Sequence, residues 1–156
     1  MSIIGLEEAF YTAESQQIEN VEIKVINILA LIALKLIAWN DRRTIKDLKD
    51  VYFILDNYTD ENIFIERVDK IPQGIVEYRE IPAFLLGYDI KDTFSQSLVN
   101  KLKQITTQIL QKQNSLFPQL ISRMFDEDEW DDKFYTIVAK FEGLKKGIEY
   151  INLDNI

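Results

Sequence analysis

The sequence predicts a mainly α fold of the α+β kind, a helical bundle-like domain with a short β-hairpin at its N-terminus. Three patterns carry that expectation. From Ile28 to Trp39 the chain is apolar apart from Lys35, the composition of a helix buried on all sides. Between Leu98 and Leu144 apolar residues recur at three- and four-residue intervals, the spacing of amphipathic helices. Val21, Ile23 and Val25 alternate with Glu22 and Lys24, which is the period of a half-buried strand.

The 156 residues, 47% hydrophobic and 28% charged, fit one soluble domain with a real core. We read the chain as a single unit in three stretches: an extended hairpin segment over 1–26, two central helices over 27–58 and further helices over 59–156. Within the first stretch the hairpin turns at Glu19-Asn20. Asn27 stands where an N-cap is needed for the apolar helix. That helix would be roughly 18 Å long at 1.5 Å per residue, well short of a bilayer core of about 30 Å, so it is expected to be central and not membrane-spanning. Asn40 and Asp41 should break it, and Thr44 with Asp47 resembles a capping arrangement that opens a second helix to about Asn57. On its wheel Ile45, Leu48, Tyr52 and Leu55 share one side, while Arg43, Asp47 and Asp50 project from the other.

Pro72-Gln73-Gly74 and Pro82 mark a turn-rich stretch between short helical pieces. Ile81 to Thr93 reads as a short helix or turn packed on the core. Leu98, Leu102, Ile105 and Ile109 define an amphipathic helix from roughly Ser95 to Gln113. Phe117, Leu120, Ile121 and Met124 give a shorter one with Pro118 in its first turn. Phe134, Ile137, Val138, Phe141 and Leu144 set the face of a final helix. No internal repeat or low-complexity linker interrupts the chain.

With no cysteine and no histidine, disulfides, thiol catalysis, classical zinc sites and Ser-His relays are excluded. Chemistry is left to carboxylates, Lys, Arg, Tyr and hydroxyls. The formal charge of −8 argues against broad nucleic-acid binding, which needs clustered cations. The start, Met1-Ser2-Ile3-Ile4-Gly5, lacks the basic region of a secretory signal, so a cytoplasmic location and no membrane are expected.

Lys35 is the first candidate, because a lone ammonium in an apolar helix is costly to desolvate unless an anion or polar cavity meets it. It is read either as a phosphate contact or as a lysine whose head reaches back to water. Arg43, Lys46, Asp47 and Asp50 form either the second wall of the same site or a solvated helix face with i,i+4 pairs, Arg43 with Asp47 and Lys46 with Asp50. The acidic run Asp126 to Asp132 has the oxygen ligands that hard cations prefer, but without the glycine and final glutamate of a calcium loop it reads as a linker that favours a helix N-terminus. Trp39 and Tyr52 are a possible base stack or, more simply, core.

The segment Leu31-Ile32-Ala33-Leu34-Lys35-Leu36-Ile37-Ala38-Trp39-Asn40-Asp41-Arg42, followed by Lys46-Asp47-Leu48-Lys49-Asp50 and by Tyr52 to Tyr58, resembles the second half of the bacterial nucleotidyltransferase-like proteins grouped with the AbiEii/AbiGii toxins. Gly5 to Phe10 and Leu85 to Ile90 agree with that resemblance, which therefore covers most of the chain. It implies a polymerase-β-like nucleotidyl transfer, in which metal-held carboxylates align a nucleoside triphosphate. Carried over, Lys35 would touch phosphate, with Arg43 in the same cluster, and Lys46, Asp47 and Asp50 would position nucleotide or brace the lysine. In such proteins the first half supplies a Gly-Ser turn and the metal-binding aspartates; no Gly-Ser motif with a following Asp-x-Asp occurs here.

The expectation is therefore a nucleotide-site or accessory fragment without independent turnover, with no catalytic or metal-ligating residue assigned. Mg²⁺ and a nucleoside triphosphate would enter only if the family activity were reconstituted, for example by a protein partner supplying the other half. The alternative is a noncatalytic helical interaction module, self-associating or bound to a partner, linked to a toxin-antitoxin or phage-defence system.

Overall fold

The computed structural model describes residues 3–58, 66–125 and 130–151. In chain order the elements are α1 (Ile3–Tyr11), β1 (Glu14–Ile18), β2 (Val21–Val25), α2 (Ile28–Arg42), α3 (Ile45–Asn57), a 3₁₀ turn (Tyr78–Glu80), α4 (Ile81–Thr93), α5 (Gln96–Gln111), α6 (Gln113–Met124) and α7 (Trp130–Glu149). The fold is thus mainly helical with one antiparallel two-stranded sheet at the front, as the sequence predicts.

Helix α2 runs through the core. Asn27 caps it as expected, its side-chain oxygen accepting from Ala30 N–H at 2.8 Å. Ala30, Ile32, Ala33, Leu36, Ile37 and Trp39 are buried in one core with Leu48, Val51 and Leu55 of α3, and α2 packs on α1 and α5 as well. The aromatic centre is the stacked pair Phe117 and Phe141, 5.3 Å between rings. Helices α4 and α7 approach so closely that glycine is required at the contact: a Cβ on Gly147 would lie 2.1 Å from the Phe84 carbonyl oxygen, and one on Gly87 would lie 2.3 Å from that of Leu144. A capping box at Glu77 and Glu80 starts the 3₁₀ turn that leads into α4, and Lys146 of α7 holds the buried Glu80 carboxylate by both oxygens at 2.7 Å.

The structure departs from the sequence reading in several places. Residues 3–11, expected to be extended, are helix α1. Its described side chains bury only Ala9, while Leu6, Phe10 and Tyr11 are exposed, so the helix forms with little of its described surface in the core. The hairpin does turn at Glu19-Asn20, both with positive φ (49° and 70°), the two left-handed residues of a type I′ turn. Its register pairs Ile18 with Val21 and Gln16 with Ile23. Yet the alternation in β2 does not signal half-burial, because every residue of both strands except Val25 is exposed. Asn40 and Asp41 do not end α2, which continues to Arg42. Pro118 is not in a first turn; α6 begins at Gln113, directly after α5, and carries the proline inside it, where the Asn114 carbonyl loses its intrahelical donor. The expected helices at Ile81–Thr93 and after Ser95 are present, Ser95 capping α5 through Leu98 N–H. Of the acidic run, Asp131 and Asp132 occupy the first turn of α7, and residues 126–129 lie outside the described residues.

Candidate functional site

The site is built by the two-residue connection between α2 and α3. Arg43 takes a left-handed backbone conformation (φ 57°) and its N–H closes on the Trp39 carbonyl at 2.7 Å, ending α2. A non-glycine residue pays about 1–2 kcal/mol for that conformation, and the Arg43 side chain supplies the offset. Its guanidinium lies 4.5 Å from the centre of the Trp39 ring, donates to Asn40 through Nε and Nη2 at 3.0 and 3.1 Å, and reaches Gln108 of α5 at 3.0 Å.

After this reversal α3 runs back along α2, and the contacts Arg42 to Asp47 and Lys35 to Asp50 follow in antiparallel order. Lys35 Nζ meets Asp50 Oδ2 at 2.6 Å, both side chains about a third exposed (31% and 35%). This is the anion that makes an ammonium tolerable on an otherwise apolar helix. Exposure of that degree keeps the pair in contact with solvent and limits its contribution to stability to about 1 kcal/mol.

Asp47 behaves differently. Its side chain is 3% exposed and both oxygens are occupied, Oδ1 by Arg42 Nη2 at 2.7 Å and Oδ2 by the Thr44 hydroxyl at 2.5 Å. Thr44 is the N-cap residue of α3, but its hydroxyl donates to Asp47 and makes no cap bond to the backbone. The i,i+4 pairs expected from spacing, Arg43 with Asp47 and Lys46 with Asp50, are replaced by Arg42 with Asp47 and Lys35 with Asp50. Arg43 lies outside α3, so the helical spacing does not apply to it. Nor does Asp47 project to solvent as the wheel suggested; Asp50 does in part, and Lys46 is fully on the exposed side.

Of the five candidate residues the structure bonds Lys35 to Asp50, while Asp47 is held by Arg42 and Thr44 and Arg43 turns to Trp39, Asn40 and Gln108. Lys35, Asp50 and Lys46 form a solvent-facing group, Lys46 and Asp50 one turn apart on α3. Asp47 braces the turn from inside, and Arg43 ties the same turn to α5. Sequence reasoning missed Arg42, whose role depends on α2 continuing beyond Asp41, and Phe53, which is 64% exposed on the stripe that carries Lys46 and Asp50. The wheel of α3 held the signal for Phe53: it lies three residues after Asp50 and seven after Lys46. Trp39 and Tyr52 are core residues, 1% and 4% exposed.

A second polar cluster secures the scaffold on the far side. Asp89 of α4 receives both guanidinium nitrogens of Arg67, at 2.9 and 2.7 Å, and the Tyr58 hydroxyl at 2.7 Å. Burial, followed by the bond to Asp89, pushes the Tyr58 phenol well above its ordinary value, and the Asp89 bond raises Arg67 despite its partial burial. Tyr58 and Arg67 are thereby tied to α4.

The Mg²⁺ of a nucleotidyl transfer needs several carboxylates converging on one point. Among the described residues no group of three or more acidic side chains stands close enough together to hold a metal ion. Asp47 is fully engaged and Asp50 is committed to Lys35. The described residues do not fit a two-metal centre.

The lysine-bearing core helix turned onto the Lys-Asp-x-x-Asp helix belongs to a nucleotidyltransferase-like domain by its family match. The family model for the nucleotidyl transferase AbiEii toxin, Type IV TA system, matches residues 4–135, and the chain belongs to that family. No curated protein and no solved structure matches the chain. Among the described residues no helix is long and apolar enough to cross a membrane.

Proposed function

We propose that this chain carries the phosphate-contacting part of a nucleotide site and has no turnover of its own. One observation supports the reading above others: Lys35 sits with Asp50 at a solvent-facing position between α2 and α3, and Lys46 adds a second cation one turn from Asp50. A lysine delivers a compact charge to phosphate. An incoming triphosphate would share or displace Asp50 at Lys35, while Asp47, locked by Arg42 and Thr44, keeps the turn in shape. The metal-bearing carboxylates would come from a Gly-Ser/Asp-x-Asp segment outside these 156 residues, and the reaction would take place in the cytoplasm, where nucleoside triphosphates are held.

Isothermal titration with each nucleoside triphosphate, with and without Mg²⁺, tests this against Lys35→Ala. Binding that weakens at least tenfold in the variant is expected. No heat at millimolar ligand would overturn the proposal. The exposed ion pair contributes so little to stability that the variant should remain folded.

A second reading has its own observation. Leu6, Phe10 and Tyr11 of α1 and Ile18 and Val21 of the hairpin are each 40% to 83% exposed, and exposed apolar surface of that kind marks an interaction surface when it is contiguous. On this reading the chain is an interaction module of a toxin-antitoxin or phage-defence system, bound to an antitoxin or to a second copy of itself. Sedimentation velocity over a wide concentration range addresses self-association; a monomer throughout would count against it.

A further inference from the structure

The outward face of the α2–α3 pair has two chemically different ends. Lys35, Asp50 and Lys46 occupy one end. Along α3 the exposed stripe continues to Phe53, whose ring is 64% exposed. The antiparallel register that sets Lys35 against Asp50 brings the start of α2, where Ile28 is 40% exposed, alongside the end of α3. An exposed apolar side chain is ordinary in itself. Here the phenylalanine stands one turn from a carboxylate–ammonium pair, and Lys46 and Phe53 are about 10 Å apart along the helix axis.

We infer that Phe53 is the platform on which the base of the bound nucleotide stacks, with its phosphates at Lys35 and Lys46. This rests on the nucleotide reading above and adds the class of ligand the site selects: a nucleotide with a base, purines before pyrimidines, over an inorganic polyphosphate. Stacking on an aromatic ring depends on the π-face and tolerates any base, with the larger purine face covering more of the ring. The cationic end alone would not distinguish a nucleotide from its phosphate chain. Phe53 provides that distinction.

The test uses the whole chain and four titrants, each as its Mg²⁺ complex: ATP, GTP, UTP and inorganic tripolyphosphate. The expected order is ATP and GTP at least tenfold tighter than tripolyphosphate, with UTP between. Phe53→Ala should bring the nucleotides down to the tripolyphosphate level and leave tripolyphosphate unchanged, and Phe53→Tyr should retain the preference. Equal affinity for ATP and tripolyphosphate, or less than a twofold change in Phe53→Ala, overturns the inference while Lys35-dependent tripolyphosphate binding still upholds the phosphate site. Failure of all four titrants overturns both. Phe53 is largely exposed, so the alanine variant should fold, and an unchanged urea midpoint checks it.

Discussion

Replacing Gly147 with alanine tests the packing that holds the site's scaffold together. Gly147 of α7 faces α4, and an added Cβ would lie 2.1 Å from the Phe84 carbonyl oxygen and 2.8 Å from the Tyr88 nitrogen. Both are backbone atoms, so no rotamer change relieves the clash. Real Cβ contacts do not fall below 3.0 Å, and the two helices must therefore part by about 0.9 Å at this point. A gap of that size forfeits a quarter to a half of the local dispersion attraction, and forcing a methyl into a close-packed site costs roughly 1–3 kcal/mol. Because the obstacle is backbone, the upper end applies. Alanine recovers about 1 kcal/mol of helix propensity, which leaves a net loss of about 2 kcal/mol. With an m-value of about 2 kcal/mol/M in urea, the unfolding midpoint should fall by roughly 1 M. An unchanged or raised midpoint at constant m would refute the close approach of α4 and α7.

Two further outcomes follow from the site and the core. Asp47→Ala removes a buried acceptor of two donors, so a loss of about 1–3 kcal/mol is expected in urea unfolding. At a temperature where the variant is folded, its nucleotide affinity should also fall, because the turn that sets Lys35 against Asp50 loses its brace; affinity within twofold of the parent would mean that the turn keeps its shape without Asp47. Burial, reinforced by the Asp56 carboxylate, pushes the Tyr52 phenol up to about 12 from an ordinary 10.0. The unfolded chain releases this proton first, so the contribution is complete below pH 10 and is lost as pH rises from about 10 to about 12. Tyr52→Phe should flatten part of that alkaline decline in the urea midpoint, with Tyr58 supplying a parallel part; an unaltered slope would contradict the assignment.

Elements whose local signals agreed with their burial were legible in the sequence. Asn27, the apolar run after it and the Ile81–Thr93 helix appear where the pattern put them. Helix α1 was read as extended although Ile3, Leu6 and Phe10 stand at helical spacing; the set is short, and Leu6 and Phe10 face solvent and not the core. At the site, sequence spacing identified the right neighbourhood and the wrong pairs. Lys35 and Asp50 are fifteen residues apart, and their bond exists only because the chain reverses between them. The left-handed Arg43 that produces the reversal is not announced by residue type, since glycine or asparagine is the usual occupant of such a position.

That short reversal also acts as a ruler. Two residues separate α2 from α3, and each residue of a helix turns it by about 100° and advances it by 1.5 Å. One residue inserted at the junction and taken up by α3 would swing Asp50 a quarter-turn or more around its axis, away from Lys35, and would carry Lys46 and Phe53 with it. The spatial phase of the whole outward face is therefore set by the length of one connection, and chain length there is under tighter constraint than the identity of any residue on the face itself.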